Sequence, residues 1–484
     1  MNLTSIPWGS VIRGILVLVL MWQVTRLLHT LWWHPRRLGR ALHAHGLKGT
    51  SYRFLTDDII EAGRQNREAW SKPMPLGCHD ISPHIAPFLH DVLQKHGKTL
   101  PSKTAAIPYA CGTSCVSWLG PIPKVTIVDP SLAKEVMSNK FGHFEKLRFP
   151  SLSMLLAKGV ADYEGEKWAK HRRILNPAFH LEKLKVKHTL DLWRLTGDVI
   201  SRTTFGSSYL EGREIFHLQS EQAGRLLTNL KKIIIPGHRF LPTRDNRRMH
   251  QTNRKIESIL RTLTEKRMKE TQEGESTKDD LLGLMLNSNM TATDENGQPI
   301  PRMTIEETTS VLLTWTMILP SMHPEWQYRA RDEVLGIFGK NKPEYEGFSR
   351  LKTVTMILYE VLRLYPPAIT FIRKTCKDMK IGGIAYPADV LIELPLLFIH
   401  HDLEIWGSDA LEFNPKRFAE GISKASKDVG ALLPFGWGPR VCIGEQFALL
   451  QHFEFSLAAA YTHAPHNVTL LRPMHGAQII LNAI

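Results

Sequence analysis

Apolar residues recur along this chain in several rhythms, and each rhythm predicts a different element. The densest run is N-terminal: Gly14 to Trp22 is uninterrupted, and Val24, Leu27, Leu28, Leu31, Trp32 and Trp33 extend it, with Arg13 and Arg26 breaking it up. From Ile6 to Trp33 there is enough helix to cross the roughly 30 Å hydrocarbon core of a bilayer, and Trp32 and Trp33 suit an interfacial belt. An arginine near each end can snorkel. A cleaved signal peptide is the competing reading, but no small-residue cleavage site comes after the run; the chain continues His34-Pro35-Arg36-Arg37-Leu38-Gly39-Arg40. Those basic residues hold the rest of the chain on the cytoplasmic side. The sequence therefore predicts an uncleaved anchor over 1–33, a basic linker over 34–50 and one cytosolic domain over 51–484.

Beyond the anchor the period changes repeatedly. Tyr52 to Leu100 reads as mixed and mostly helical, limited by Pro73, Pro75, Pro83 and Pro87. Ser114 to Leu119, Gly120-Pro121 and Pro123 to Val128 predict a β-hairpin. Gly165 to Arg173 is a basic amphipathic helix with Trp168 and Arg172 on one face, locally a solvated cationic surface. Leu226 to Thr243 is either ordinary core or a roof over a channel, and Arg244 to Lys269 is a charged helix. Thr304 and Glu307 form a capping box before an apolar run to Leu319, with Pro320 expected to end or kink that helix. Leu351, Val354, Leu358, Val361 and Tyr365 make one helical stripe beside Glu360 and Arg363. Ile369 to Lys374 and the tail from Ala464 read as strands, so the fold class is mainly α with small β-sheets.

Charge and cysteine usage narrow the setting. With 61 basic and 47 acidic residues the formal charge is +14; in the absence of a nucleic-acid motif, that excess suits an anionic membrane surface or an acidic protein partner. The five cysteines are few, odd in number and scattered, which argues against a disulfide framework and for a reducing compartment. Cys442 stands apart, in Phe435-Gly436-Trp437-Gly438-Pro439-Arg440-Val441-Cys442-Ile443-Gly444. A thiolate there would be favoured by the Arg440 guanidinium, by the N-terminus of a following helix and by glycines that let backbone N–H groups approach the sulfur. The alternative is a buried structural thiol.

Phe435, Gly438, Arg440, Cys442 and Gly444 match every fixed position of Phe-x-x-Gly-x-Arg-x-Cys-x-Gly, so the chain resembles the cytochrome P-450 monooxygenases. The resemblance implies the cytochrome P-450 fold, a haem-thiolate monooxygenase domain over 51–484 and haem b ligated by Cys442, the thiolate ligation characteristic of this family. It implies that Trp168, Arg172 and Arg373 serve the haem propionates, although Arg373 alone also reads as a strand-end surface arginine. Glu360 and Arg363, followed by Leu364-Tyr365-Pro366-Pro367, resemble the family's structural pair, expected to lock to Arg417 in Phe413-Asn414-Pro415-Lys416-Arg417-Phe418. His400 and His401 are read as structural. Glu307 and Thr308 match the acid-alcohol half of the oxygen-activating motif, while its Ala-Gly half is absent. Glu307 is thus a proton donor or simply the N-terminal cap.

Three stretches are short against the family pattern: Leu184 to Thr196, the segment before Glu307, and the helix after Cys442, where His452 to Leu457 already alternates like a strand. Trp33-His34-Pro35-Arg36-Arg37-Leu38 and Ser321-Met322-His323-Pro324-Glu325-Trp326 are similar to the plant microsomal clan, including secologanin-synthase-like members. The implied function is insertion of one oxygen atom from O2 into an apolar terpenoid, steroid or hormone-like molecule. NADPH would supply electrons through a flavoprotein reductase at the endoplasmic reticulum membrane. Two alternatives stand beside it: a degenerate, non-catalytic member with an impaired haem site, and a peroxide-using or rearranging relative that needs no reductase.

Overall fold

The computed structural model describes residues 8–54, 58–97, 114–138, 142–147, 163–176, most of 214–225, 241–272, 305–339, 347, 349–442, 456–457, 461–467, 470–475, 477 and 479–480. The apolar stretch 226–240, the short passage at 184–196, Gly444 and the expected helix at 445–451 lie outside them.

The main sheet has six strands in the order β1-β2-β3-β8-β5-β4. These are Lys48–Gly49, Ser114–Leu119, Ile122–Ile127, Leu391–Leu394, Phe371–Thr375 and Phe144–Lys146, respectively. The hairpin expected over 114–128 is its centre, pairing Ser114 with Ile127 through to Leu119 with Ile122. Val116, Val125, Ile127, Ile392 and Leu394 build one core on it. Glu393 is buried in β8, and the hydroxyl of Thr126 and the ammonium of Lys124 each meet its carboxylate at 2.8 Å. Met379–Ile381 (β6) and Ile384–Tyr386 (β7) pair as a small hairpin, and β9 to β12, Ser456–Leu457, Pro465–Asn467, Leu471–Pro473 and Ile479–Ile480, form two further pairs.

A second core is helical. Helix Lys352–Leu364 buries Val354, Leu358 and Val361, the stripe expected from the sequence. Leu351 precedes this helix and cannot cap it with a side-chain acceptor. Glu333 does so from the neighbouring Pro324–Phe338 helix, taking the N–H groups of Lys352 and Thr353 at 2.9 Å and Val354 at 3.1 Å. Helix Ile305–Met322 continues two residues past Pro320. A proline so close to a C-terminus removes one N–H and leaves most of the ladder intact. Its Trp315 is fully buried, stacks on Tyr365 with ring centroids 4.2 Å apart and donates to the Leu471 carbonyl at 2.8 Å. Beneath it Tyr365 Oη hydrogen-bonds with His79 Nδ1 at 3.0 Å and with His463 Nε2 at 3.3 Å.

At the N-terminus, helix Trp8–Leu28 passes through a π-helical turn, His29–Trp33, into helix His34–Ala44. It exposes Ile12, Ile15, Leu16 and Leu18, and the continuous helix Val11–Ala44 is long and apolar enough to cross a membrane. Pro35 has no N–H for the Leu31 carbonyl, which instead accepts the Tyr52 hydroxyl. Residues 34–50, expected as a linker, are helix to Ala44 and then strand β1, with Leu38, Gly39 and Leu42 buried against the body. Trp32 meets Phe54 edge-on at 5.6 Å, and Arg36 lies over the Trp32 ring at 3.7 Å.

Candidate functional site

The loop that carries Cys442 is closed by its own backbone. Gly436 donates to the Leu433 carbonyl at 3.0 Å, Val441 to Gly438 at 3.1 Å and Cys442 to Phe435 at 2.9 Å, around a 3-10 turn Gly438–Arg440. Phe435 is buried in the helical core, and Cys442, half-buried, packs against the same cluster as Leu312 and Trp315. Gly438 has φ +71°, and a Cβ there would sit 2.9 Å from the Met137 carbonyl oxygen. Both the left-handed backbone and the close approach demand glycine. Gly438→Ala is therefore expected to cost about 2–4 kcal/mol, from left-handed strain and overpacking together, read as a lower unfolding midpoint in denaturant.

Helix Gly165–Leu175 brings the expected pair to this loop. Arg172 donates from Nη1 to the Val441 carbonyl at 2.9 Å and from Nε to Asn176 at 2.9 Å. Burial lowers the basicity of this guanidinium, and the field of the Cys442 sulfur opposes that shift. Trp168 is buried with its ring under the Arg440 guanidinium, 4.6 Å from centroid to carbon. Arg440, expected beside the sulfur, directs its fork to the Glu164 carboxylate and the Tyr163 carbonyl. Arg172 is electrostatically coupled to Cys442. Arg373, on β5, donates to the Ile372 carbonyl at 3.0 Å; burial first, then the neighbouring Arg440, lowers its basicity.

Three guanidiniums, Arg172, Arg373 and Arg440, thus lie near the cysteine loop, and Glu164 pairs with Arg440 and acts electrostatically on Arg373. Such an excess of partly buried positive charge matches a cofactor that carries carboxylates, and a half-buried cysteine matches its metal; this donor set fits haem. Glu307 and Thr308 lie in the first turn of helix Ile305–Met322, and their side chains fall outside the described residues, as does Gly444.

Behind the loop, Arg363 is fully buried and uses all five donors. It forks onto Glu360 with two bonds of 2.8 Å, and reaches the carbonyls of His400 at 2.8 Å, Ala410 at 2.6 Å and Glu412 at 3.3 Å. Arg417 behaves differently from the expected second fork on Glu360. Its Nε is 3.7 Å from that carboxylate, while its Nη atoms hold Asp409 at 2.8 Å and the Trp406 carbonyl at 2.8 Å. Neither Glu164 nor Asp409 stands out in the sequence. Glu164 sits in the extended lead-in to a helix, and Asp409 meets Arg417 through a loop, so neither lies on a periodic face.

A mainly helical body with small sheets and a cysteine loop ringed by guanidiniums has the layout of a haem-thiolate protein. A family model described as Cytochrome P450 matches residues 82–193 and 186–458. Cytochrome P450 CYP72A616 of Paris polyphylla is 46% identical over 525 aligned positions, covering 98% of this chain and 98% of that protein. An 11-oxo-beta-amyrin 30-oxidase of Glycyrrhiza uralensis is 42% identical over 541 positions, covering 100% of both. Among solved structures, a retinoic acid bound cyanobacterial CYP120A1 superposes with TM-score 0.63 at 21% identity, covering 77% of this chain and 92% of that one.

The chain belongs to the cytochrome P450 family, in the plant CYP72 clan, and is a membrane-anchored monooxygenase. Its cofactor is haem b, with electrons supplied by NADPH through a reductase. Both alignments are longer than the chain's 484 residues, so these relatives carry positions without a counterpart here. The two pieces of the family match overlap at 186–193, inside the short passage between Leu184 and Thr196.

Proposed function

We propose that this monooxygenase oxidises an apolar terpenoid, with Cys442 as the residue that would ligate the haem and Trp168, Arg172, Arg373 and Arg440 as those that would hold its carboxylates. The observation that carries the reading is the presence of three guanidiniums near the cysteine loop, with Glu164 paired to Arg440 and acting electrostatically on Arg373. Bound haem supplies the activation of O2. Arg172 holds the Val441 carbonyl and so fixes the residue next to the ligand, while its charge favours the thiolate over the thiol. Phe435 packs the loop's inner face into the helical core. Glu307 and Thr308 are the candidates that would hold and release a proton for the reaction. Similarity to an 11-oxo-beta-amyrin 30-oxidase motivates the terpenoid substrate class. The helix from Trp8 anchors the chain in the endoplasmic reticulum membrane with the domain 51–484 cytosolic, and a basic chain of +14 suits an acidic NADPH-dependent flavoprotein reductase.

The test is the reduced carbon-monoxide difference spectrum of the full chain in membranes, followed by incubation with triterpenoids, NADPH and reductase. A thiolate-type Soret band with reductase-dependent product is the expected result. Apoprotein alone would instead favour a second reading, a non-catalytic member of the family, which the alignments longer than this chain motivate. Product without NADPH would exclude the reductase.

A further inference from the structure

The buried Glu360–Arg363 pair does not itself bond the cysteine loop. Among the described residues, the hydrogen bonds of Glu360, Arg363 and Arg417 run among themselves, to Trp406, Asp409, Ala410, Glu412 and Asn414, and to the carbonyl of His400. The ring of His400 makes the next connection. Its Nε2 accepts the Leu433 N–H at 3.0 Å, and both residues are fully buried. Leu433 then accepts Gly436, and Phe435 accepts Cys442, so hydrogen bonds run from the ion pair through His400 into the loop that ends at the cysteine.

The direction of this bond fixes the ring's state. An Nε2 that accepts is unprotonated, so the neutral ring carries its hydrogen on Nδ1. Nδ1 is buried and has no hydrogen-bond partner among the described residues. A buried donor without an acceptor is unfavourable, and a phenylalanine would fill the same space without one. What imidazole adds is the acceptor at Nε2. Burial, with His401 and Arg363 nearby, holds the ring neutral.

We infer that His400 is a positioning residue for the cysteine loop: its Nε2 sets the register of Leu433, and through Phe435 the placement of Cys442. The inference rests on the reading of Cys442 as the haem ligand. In the full chain, His400→Phe removes the acceptor, whereas the amide of His400→Gln reaches the Nε2 position. Two measurements are made on protein shown by circular dichroism to be folded: hydrogen exchange at the Leu433 amide, and the rate at which the thiolate-type carbon-monoxide band converts to the thiol type. His400→Phe is expected to raise both rates about tenfold, and His400→Gln to return both toward the parent protein. Parent-like rates in His400→Phe, or equal rates in the Phe and Gln variants, would overturn the inference. If His400→Phe does not accumulate folded, His400→Gln is compared with His400→Asn, whose amide reaches only the Nδ1 position; equal behaviour overturns it. A parent protein without any thiolate-type band would defeat the ligand reading alone, because amide exchange still reports on His400.

Discussion

Replacing Arg363 by leucine is expected to cost about 3–5 kcal/mol, the range for breaking a buried ion pair by removing one partner. The side chains of Arg363 and Glu360 are both 0% exposed, so the lost attraction is not replaced by water. Glu360 would keep the Asn414 N–H at 2.9 Å and the distant Arg417, and the carbonyls of His400, Ala410 and Glu412 would lose their donor. Arg363→Lys should recover only part of the loss, because an ammonium cannot reproduce a fork and three carbonyl bonds. Arg417→Lys should cost less than either, since its main partner Asp409 is 35% exposed. Denaturant midpoints of the three variants give the order. An Arg363→Leu midpoint at or above that of Arg417→Lys would defeat the account.

Acid should destabilise the protein steeply, starting near the ordinary histidine pKa. Burial, the leading cause in each case, pushes His79 and His401 down to about 3, His463 down to about 4 and His400 well below its usual value. Arg363 adds repulsion at His79, His400 and His401. Between those folded values and about 6.5, the unfolded chain binds protons that the folded chain refuses. The stability these groups confer is therefore complete above about pH 6.5 and is lost as the pH falls toward their folded values. Each group contributes about 1.4 kcal/mol per pH unit inside its window, so His79, His401 and His463 together approach about 4 kcal/mol per pH unit near pH 5. Over about two pH units that loss falls within the 5–15 kcal/mol typical of a whole domain. Denaturant unfolding at stepped pH measures the slope; equal stability at pH 7 and pH 5 would contradict the assignment of neutral buried histidines.

How much of the molecule was legible in the sequence depends on how local each signal is. Glu360 and Arg363 are one helical turn apart, and Trp168 and Arg172 share a face, so spacing made each pair neighbours while the family resemblance supplied their roles. The fork of Arg417 was not legible, because Asp409 and Glu360 both lie within its reach and only the loop path decides between them. His79 and His463 reach Tyr365 from 286 and 98 residues away, with nothing periodic to announce them. His400 and His401 read as structural. They end a helical turn, Leu396–His401, and their rings serve separate partners: Leu433 for His400, and Leu364 and Ser82 for His401. The departures from the family pattern were visible because motif spacing is itself written in the sequence.

The Leu31 carbonyl held by Tyr52, with Trp32 against Phe54, gives the anchor a fixed phase as well as a fixed place. Helix leads into helix without a swivel from Trp8 to Ala44, so the catalytic body is mounted on its anchor like a key on its shaft. Inserting one residue near Leu28 would turn everything below it by about 100° relative to the body while leaving its hydrophobicity unchanged. The azimuth at which the body meets the bilayer is therefore encoded in the count of residues between the apolar run and Pro35, not in their polarity.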